Sequence, residues 1–207
     1  CWIFILLSGV SNTYANPGSL ADIVEESSKA VVQIQTKRDG YQSGIPSYDA
    51  FNQKRRYRGY NPHFGQEHSP NRRAPGMGIG SGFLISADGL IVTNAHVIAG
   101  ADTISVKFSN SQTRKAKLIG LDKSSDLAVL QVEGSNLPHI EFGDSNAIRI
   151  GDSVLAIGSP FGLTGTATSG IISAKSRDLK MGRYDNFLQI DAPINSGNSG
   201  GPVLNMD

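Results

Sequence analysis

Three short segments carry residue types that together can perform acyl transfer. Thr93-Asn94-Ala95-His96-Val97-Ile98 sets a histidine at the end of an apolar, strand-like run. Asp122-Lys123-Ser124-Ser125-Asp126-Leu127-Ala128-Val129-Leu130 sets an aspartate at the opening of another. Asn195-Ser196-Gly197-Asn198-Ser199-Gly200-Gly201-Pro202 sets a serine among glycines. A serine hydroxyl is a weak nucleophile near neutral pH and needs a base to take its proton. His96 could be that base, with the Asp126 carboxylate on its other ring nitrogen fixing the tautomer and stabilising the imidazolium. Glycines around Ser199 let the backbone aim successive amides at one point. The N–H groups of Gly197 and Ser199, with Asn198 between them, could then hold a developing oxyanion. A lone histidine is more often structural than catalytic, and an aspartate ahead of a strand is usually a turn residue. Gly-Asn-Ser-Gly-Gly is the most specific of the three pieces. Their order along the chain, His then Asp then Ser, is one known for such triads.

Composition narrows the alternatives. The chain has 207 residues, 39% hydrophobic and 18% charged, with formal net charge +1. That length accommodates one domain or two small ones, and the near-neutral balance points to no polyanionic partner such as nucleic acid. A single cysteine excludes an internal disulfide framework, and no CxxC…CxxC or HExxH pattern implies a metal, so no cofactor is expected. The run Gly76-Met77-Gly78-Ile79-Gly80-Ser81-Gly82 fits neither GxGxxG nor a GK[ST] phosphate loop, and no helical pattern follows it. His63 and His68 lie in a basic loop with no further metal ligands evident, and His139 follows Pro138 at a connection, where a surface role fits. Asp191 could be mistaken for a pocket carboxylate selecting basic side chains, but its place at a strand end favours a structural role.

These residues must be held by something, and the pattern around them is β-rich. Ser19-Leu20-Ala21-Asp22 is a capping-box-like start that predicts a short helix to about Ser28. Ala30 to Gln35 reads as a strand by alternation and β-branching. Ala87-Asp88-Gly89 between apolar runs is a hairpin signal. Further strands are expected at 103–108, 113–120, 126–132, 152–158, 168–175, 186–192 and 201–205, a spacing of short strands that argues for a sandwich or barrel. Residues 37–73 differ from the rest: basic residues such as Lys54, Arg55, Arg56, Arg72 and Arg73 alternate with aromatics such as Tyr57 and Phe64, without apolar period. A long surface loop is the plain reading, with contact between subunits or with an anionic membrane as alternatives. Ahead of it, Ile3 to Val10 is apolar and leads through small polar residues to Ala15, like the back half of a secretory signal cleaved after Ala15. An uncleaved anchor is the alternative; either places the remainder outside the cytoplasm. Pro202 to Asp207 reads as a strand running to the last residue.

Taken together, Gly80-Ser81-Gly82-Phe83, Thr93 to Ile98, Asp126 to Leu130, Gly158-Ser159-Pro160-Phe161-Gly162, Ser169 to Ser173, and Gln189 to Asn195 running into the Ser199 loop resemble the protease domain of the HtrA/DegP family. These are trypsin-like serine proteases of the bacterial envelope and some organelles. The resemblance implies an all-β, trypsin-like double β-barrel with a short N-terminal helix, its second barrel incomplete. It implies His96 as general base, Asp126 as its orienting carboxylate, Ser199 as nucleophile, and Ile194, Asn195 and Ser196 beside the substrate. Residues 1–15 would be a signal remnant, 16–36 the helix and first strand, 37–78 a basic regulatory loop, 79–137 the first barrel and 138–207 the second. Residues 176–186 fall where the family has a sensor loop. The implied activity is endoproteolysis of unfolded or misfolded proteins in the periplasm by a homotrimer or larger assembly. A chaperone or scaffold with secondary proteolysis, and a regulatory protease for one membrane-anchored substrate, are the alternatives. Ser196 stands where many relatives have a larger residue. By the same resemblance two strands of the second barrel would lie beyond Asp207, so these 207 residues alone are expected to be poorly stable and nearly inactive.

Overall fold

In the computed structural model of the chain, the structure describes residues 6–7, 19–39, 76–159, 165–177, 187–195 and 198–206. The expected helix is present as α1 (Leu20–Ser28), opened by the Ser19 N–H donating to Asp22 Oδ2 at 3.0 Å. Its Ile23 and Val24 face the core, while Leu20 stays exposed. The strands are β1 (Leu6–Leu7), β2 (Val31–Arg38), β3 (Gly76–Leu84), β4 (Leu90–Asn94), β5 (Thr103–Lys107), β6 (Thr113–Asp122), β7 (Leu127–Gln131), β8 (Ser153–Gly158), β9 (Thr166–Arg177), β10 (Phe187–Ile190) and β11 (Val203–Leu204), with a one-turn helix α2 (Ala95–Ile98). No helix among the described residues is long and apolar enough to cross a membrane.

Six strands close into a barrel in the order β2-β3-β4-β7-β6-β5, and the others form a five-stranded sheet in the order β1-β11-β8-β9-β10. All barrel neighbours are antiparallel. Burial alternates along β5 and β7, whereas β2, β3 and β4 each carry consecutive buried residues; Val32, Ile34, Leu84, Ile91, Val106 and Leu130 are wholly buried and belong to one cluster. A second cluster under the open sheet holds Val154, Ala156, Ile172, Ile190 and Val203. β8 belongs to both. Its Leu155 and Ile157 join the barrel cluster while Val154 and Ala156 join the other. A strand buried on both faces reads as a continuous apolar run, which is how Val154-Leu155-Ala156-Ile157 reads. Polar ties complete the junction. Buried Gln33 of β2 donates from Nε2 to the Ser159 carbonyl at 3.3 Å, and the Ser159 N–H donates to Ser81 Oγ of β3 at 2.8 Å. The two halves therefore meet along β2, β3 and β8.

Two segments depart from the local sequence reading. β3 begins at Gly76, inside the span 37–78 expected as loop, and pairs with β2 in register from Arg38↔Gly76 to Val32↔Gly82. Glycine is a poor strand former, and here its neighbours demand it. A Cβ on Gly80 would stand 2.6 Å from Val97 Cγ1, and one on Gly82 2.9 Å from the Val92 carbonyl. Missing side chains let α2 lie directly on β3. As a result β2 runs to Arg38 instead of stopping at Gln35, and β3 begins inside the segment first read as loop; residues 40–75, which hold most of the basic loop, lie outside the described residues. Leu6–Leu7, expected within an export segment, pairs in parallel with Val203–Leu204 of β11, where an open edge offers unpaired N–H and C=O groups to any extended chain. Residues 178–186, most of the expected sensor loop, also lie outside the described residues.

Because Gly80 has Val97 pressed against it, Gly80→Ala should force α2 off β3. Overpacking of this kind costs about 1–3 kcal/mol, to be read as a lower denaturant midpoint at unchanged slope.

Candidate active site

The three expected side chains sit on three connections that meet where the barrel and the open sheet join. α2 follows β4 without a break, and its N-terminal flank Asn94 ends the strand. β4 pairs with β7 in the register Asn94↔Leu127. That pairing sets Asp126, one residue before β7, opposite His96, two residues beyond β4. The Asp126 carbonyl accepts from the Ala95 N–H at 2.9 Å and from Asn94 Nδ2 at 3.0 Å. Its carboxylate accepts from the His96 N–H through Oδ1 at 2.8 Å and faces His96 Nδ1 through Oδ2 at 2.6 Å. A carboxylate only accepts, so Nδ1 carries the proton and Nε2 presents its lone pair outward. The His96 side chain is 42% exposed and that of Asp126 25%, so the ring is reachable from solvent while its anchor is more sheltered.

Asp126 adopts φ 55°, a left-handed conformation that non-glycine residues seldom take and that aspartate tolerates better than most. The turn that holds it there is organised by Asp122, the last residue of β6. Asp122 accepts from the Ser124 N–H through Oδ1 and from Ser125 Oγ through Oδ2, both at 2.8 Å. These donors, the Ser124 amide first, hold the Asp122 carboxyl below the usual carboxylate range.

The Ser199 loop is fastened to the same wall. The Ser199 carbonyl accepts from the Ser81 N–H at 2.8 Å, and the Ser81 carbonyl accepts from Thr93 Oγ1 at 2.6 Å. Gly200, at φ 86°, lies so close to the Ser81 carbonyl, Thr93 Oγ1 and the Asn94 N–H that no Cβ fits. The loop thus rests on Thr93 and Asn94, immediately before α2. Two tight turns flank the serine, from the Asn198 N–H to the Asn195 carbonyl at 3.1 Å and from the Gly201 N–H to the Asn198 carbonyl at 2.9 Å. The second has Gly200 at its third position, where a type II turn requires positive φ. Among the described residues the Ser199 N–H has no backbone acceptor, and no hydrogen bond joins its hydroxyl to His96.

Of the other expected site residues, Ile194 is 38% exposed and Asn195 gives its carbonyl to the first turn. Ser196 and Gly197 lie outside the described residues. The Asn198 N–H is already donated to Asn195, and its side chain turns inward onto Gly158. Asp191 accepts from the Ile171 N–H at 2.7 Å, a structural tie between β10 and β9, and exposed His139 contacts the Leu137 carbonyl at 3.2 Å. Ser81 was not singled out by local reading, yet it bonds the Ser199 loop, Thr93 and Ser159. Its only sequence signal is a lone hydroxyl between two glycines of a strand.

The carboxyl of Asp122 has its pKa lowered on folding, so its contribution is full above the ordinary carboxylate range and is lost as pH falls through the folded value. Protection factors of the amides of residues 123–126, corrected for the intrinsic pH dependence of exchange, should therefore fall in acid, and Asp122→Ala should bring the same loss of protection at neutral pH.

Comparison with known proteins follows this geometry. The model of the trypsin-like peptidase domain matches residues 80–207. A relative from Halomonas elongata, described as a probable DegP-like periplasmic serine endoprotease, is 41% identical over 222 residues, covering 100% of this chain and 46% of its own. One of the same description from Pseudomonas savastanoi pv. phaseolicola is 43% identical over 218 residues, covering 98% of this chain and 44% of its own. The chain thus spans about half the length of the curated relatives it matches. Among solved structures, the HtrA-type protease AlgW with a tripeptide aligns with TM-score 0.70 and 35% identity, over 91% of this chain and 51% of that one. The double-barrel architecture expected from the sequence is the one these neighbours share, and with a family match spanning the segment that holds His96, Asp126 and Ser199, the chain belongs to the trypsin-like peptidases.

Proposed function

We propose that this chain forms the catalytic part of a serine endopeptidase that acts on unfolded or misfolded proteins in the periplasm. The observation that carries the reading is the 2.6 Å contact between His96 Nδ1 and Asp126 Oδ2, with the Ser199 loop hydrogen-bonded to the neighbouring strand. Relatives described as periplasmic serine endoproteases support the reaction class and the compartment.

In the proposed mechanism His96 Nε2 takes the proton from Ser199 Oγ as that oxygen attacks the scissile carbonyl carbon. The N–H groups of Ser199 and Gly197, with Asn198 between them, receive the negative charge that develops on the carbonyl oxygen. Asp126 keeps the imidazole in its Nδ1–H form and stabilises the imidazolium. The imidazolium then gives its proton to the leaving amine as the C–N bond breaks, leaving an acyl-Ser199 ester. Water, deprotonated by His96, cleaves that ester and restores the hydroxyl. The missing hydrogen bond between Ser199 and His96 is compatible with this scheme, since such bonds are often long without substrate and tighten when it binds. Ile194, Asn195 and Ser196, on the approach to the loop, would border the acyl side of the substrate. Unfolded chains suit the site because only an extended segment can lie in a cleft between two β layers. Assembly into a homotrimer or larger oligomer, and membrane association, are further parts of the reading that rest on the family resemblance.

Treatment of the protein as the cell makes it with a fluorophosphonate should give one adduct, located on Ser199 by mass spectrometry and abolished by Ser199→Ala and by His96→Ala. Asp126→Asn should lower kcat by about 10⁴-fold while leaving the fold intact. No adduct, even with unfolded protein present, would shift the reading to a chaperone or scaffold whose triad is not assembled.

A further inference from the structure

Asn198 stands next to the proposed nucleophile and is 3% exposed. Among the described residues, neither Nδ2 nor Oδ1 of its carboxamide has a hydrogen-bond partner. Its backbone, by contrast, is fully used: N–H to Asn195 and carbonyl from Gly201. The side chain is wedged against the end of β8, where a Cβ on Gly158 would stand 2.7 Å from Asn198 Cα and 2.9 Å from Cγ. Gly201 presses on the Ile157 carbonyl from the same loop. The loop that carries Ser199 is therefore seated on β8 by a polar side chain that gains nothing polar from the seat.

Buried polar groups in native proteins are nearly always paired, and one left unpaired destabilises the arrangement that buries it. A leucine has the same branching at Cγ and, though larger, would bury no polar atom in this place. The amide is thus mismatched to the arrangement seen here and suited to another in which its N–H and carbonyl find partners. A ligand that favours the paired arrangement shifts the loop toward it by the difference in its affinity for the two.

We propose that Asn198 is a positioning residue whose buried carboxamide is unpaired while the Ser199 site is empty and becomes hydrogen-bonded when an acyl group or its phosphonyl mimic occupies Ser199. The side chain couples occupation of the site to the shape of the loop without touching the substrate. The proposal rests on Ser199 being the nucleophile, and it assigns to the residue beside it a duty that backbone turns alone would not need.

The test compares wild-type full-length protein with Asn198→Leu and Asn198→Ala. In the uninhibited protein both variants should keep the fold, and Asn198→Leu should have a Tm at or above that of wild type, because an unpaired polar group has been removed. Phosphonylation of Ser199 should slow by about tenfold or more in both variants, and peptide hydrolysis should lose kcat with little change in KM. In ¹⁵N-labelled wild type, the Asn198 side-chain NH₂ signals should move downfield on phosphonylation, which a purely structural role would not produce. Wild-type labelling rates in both variants, or NH₂ signals that do not move, would overturn the proposal while leaving the nucleophile assignment intact. If wild type itself is not labelled on Ser199, the functional reading fails first and this inference with it.

Discussion

Four hydrogen bonds converge on Asp126, two on its carbonyl and two on its carboxylate, and all come from the three consecutive residues Asn94, Ala95 and His96. They make sense only if β4 and β7 pair in the register Asn94↔Leu127. A slip of one residue would turn Ala128 and Leu130 out of the barrel core and at the same stroke carry Asp126 away from the imidazole. Hydrophobic burial, which sets the register, therefore also sets the distance between the His96 imidazole and the Asp126 carboxylate. The core specifies the chemistry through geometry, with no need for a separate restraint on the histidine.

The other half of the site depends on a different constraint, the close approach of two β layers along β8. Layers that both bury apolar residues can slide; the hydrogen bonds among Gln33, Ser81 and Ser159 cannot be kept if they do. Ser81 is the hub of that tie, since its N–H holds the Ser199 carbonyl and its carbonyl holds Thr93. Buried polar groups that are fully paired specify one arrangement even where they add little net stability. Here that arrangement is the one that brings the glycine-rich loop to rest against Thr93 and Asn94.

Much of this was visible in the sequence because it is local. The capped start of α1, the Ala87-Asp88-Gly89 hairpin and the three chemistry-bearing segments each declare themselves within a few residues. What was not visible depends on a residue far along the chain. Gly80 must be glycine because Val97 lies on it, and Asn198 is buried because Gly158 leaves room. Strand ends were hard for a related reason. The run 186–192 reads as one strand, yet β10 stops at Ile190, where the Asp191 carboxylate takes the Ile171 N–H into a side-chain bond and displaces the regular ladder. The start of β3 at Gly76–Gly78 fell in the expected loop because glycine's weak strand propensity was outweighed by pairing with β2.

Among the described residues, left-handed backbone occurs at several turns, such as Ser111 at φ 67° and Asn136 at φ 54°, and the site holds its own share. The barrel interior is apolar and regular, whereas Asp126 at φ 55°, Gly200 at φ 86° and the unpaired Asn198 all lie within the connections that meet there. Such features persist only where surrounding bonds over-determine them, and the two sides of the site differ in this respect. His96 and Asp126 stand on a closed barrel, each fixed by several hydrogen bonds to its neighbour. Ser199 stands on a loop joining two strands of an open sheet; among the described residues it is tied to the barrel through a backbone bond to Ser81 and seated by a side chain with no polar partner. When a stiff wall faces a weakly determined loop, the free energy needed to change their relation is smallest on the side of the loop. By this reasoning the position of Ser199 is easier to change than the contact between His96 and Asp126, which the barrel register sets.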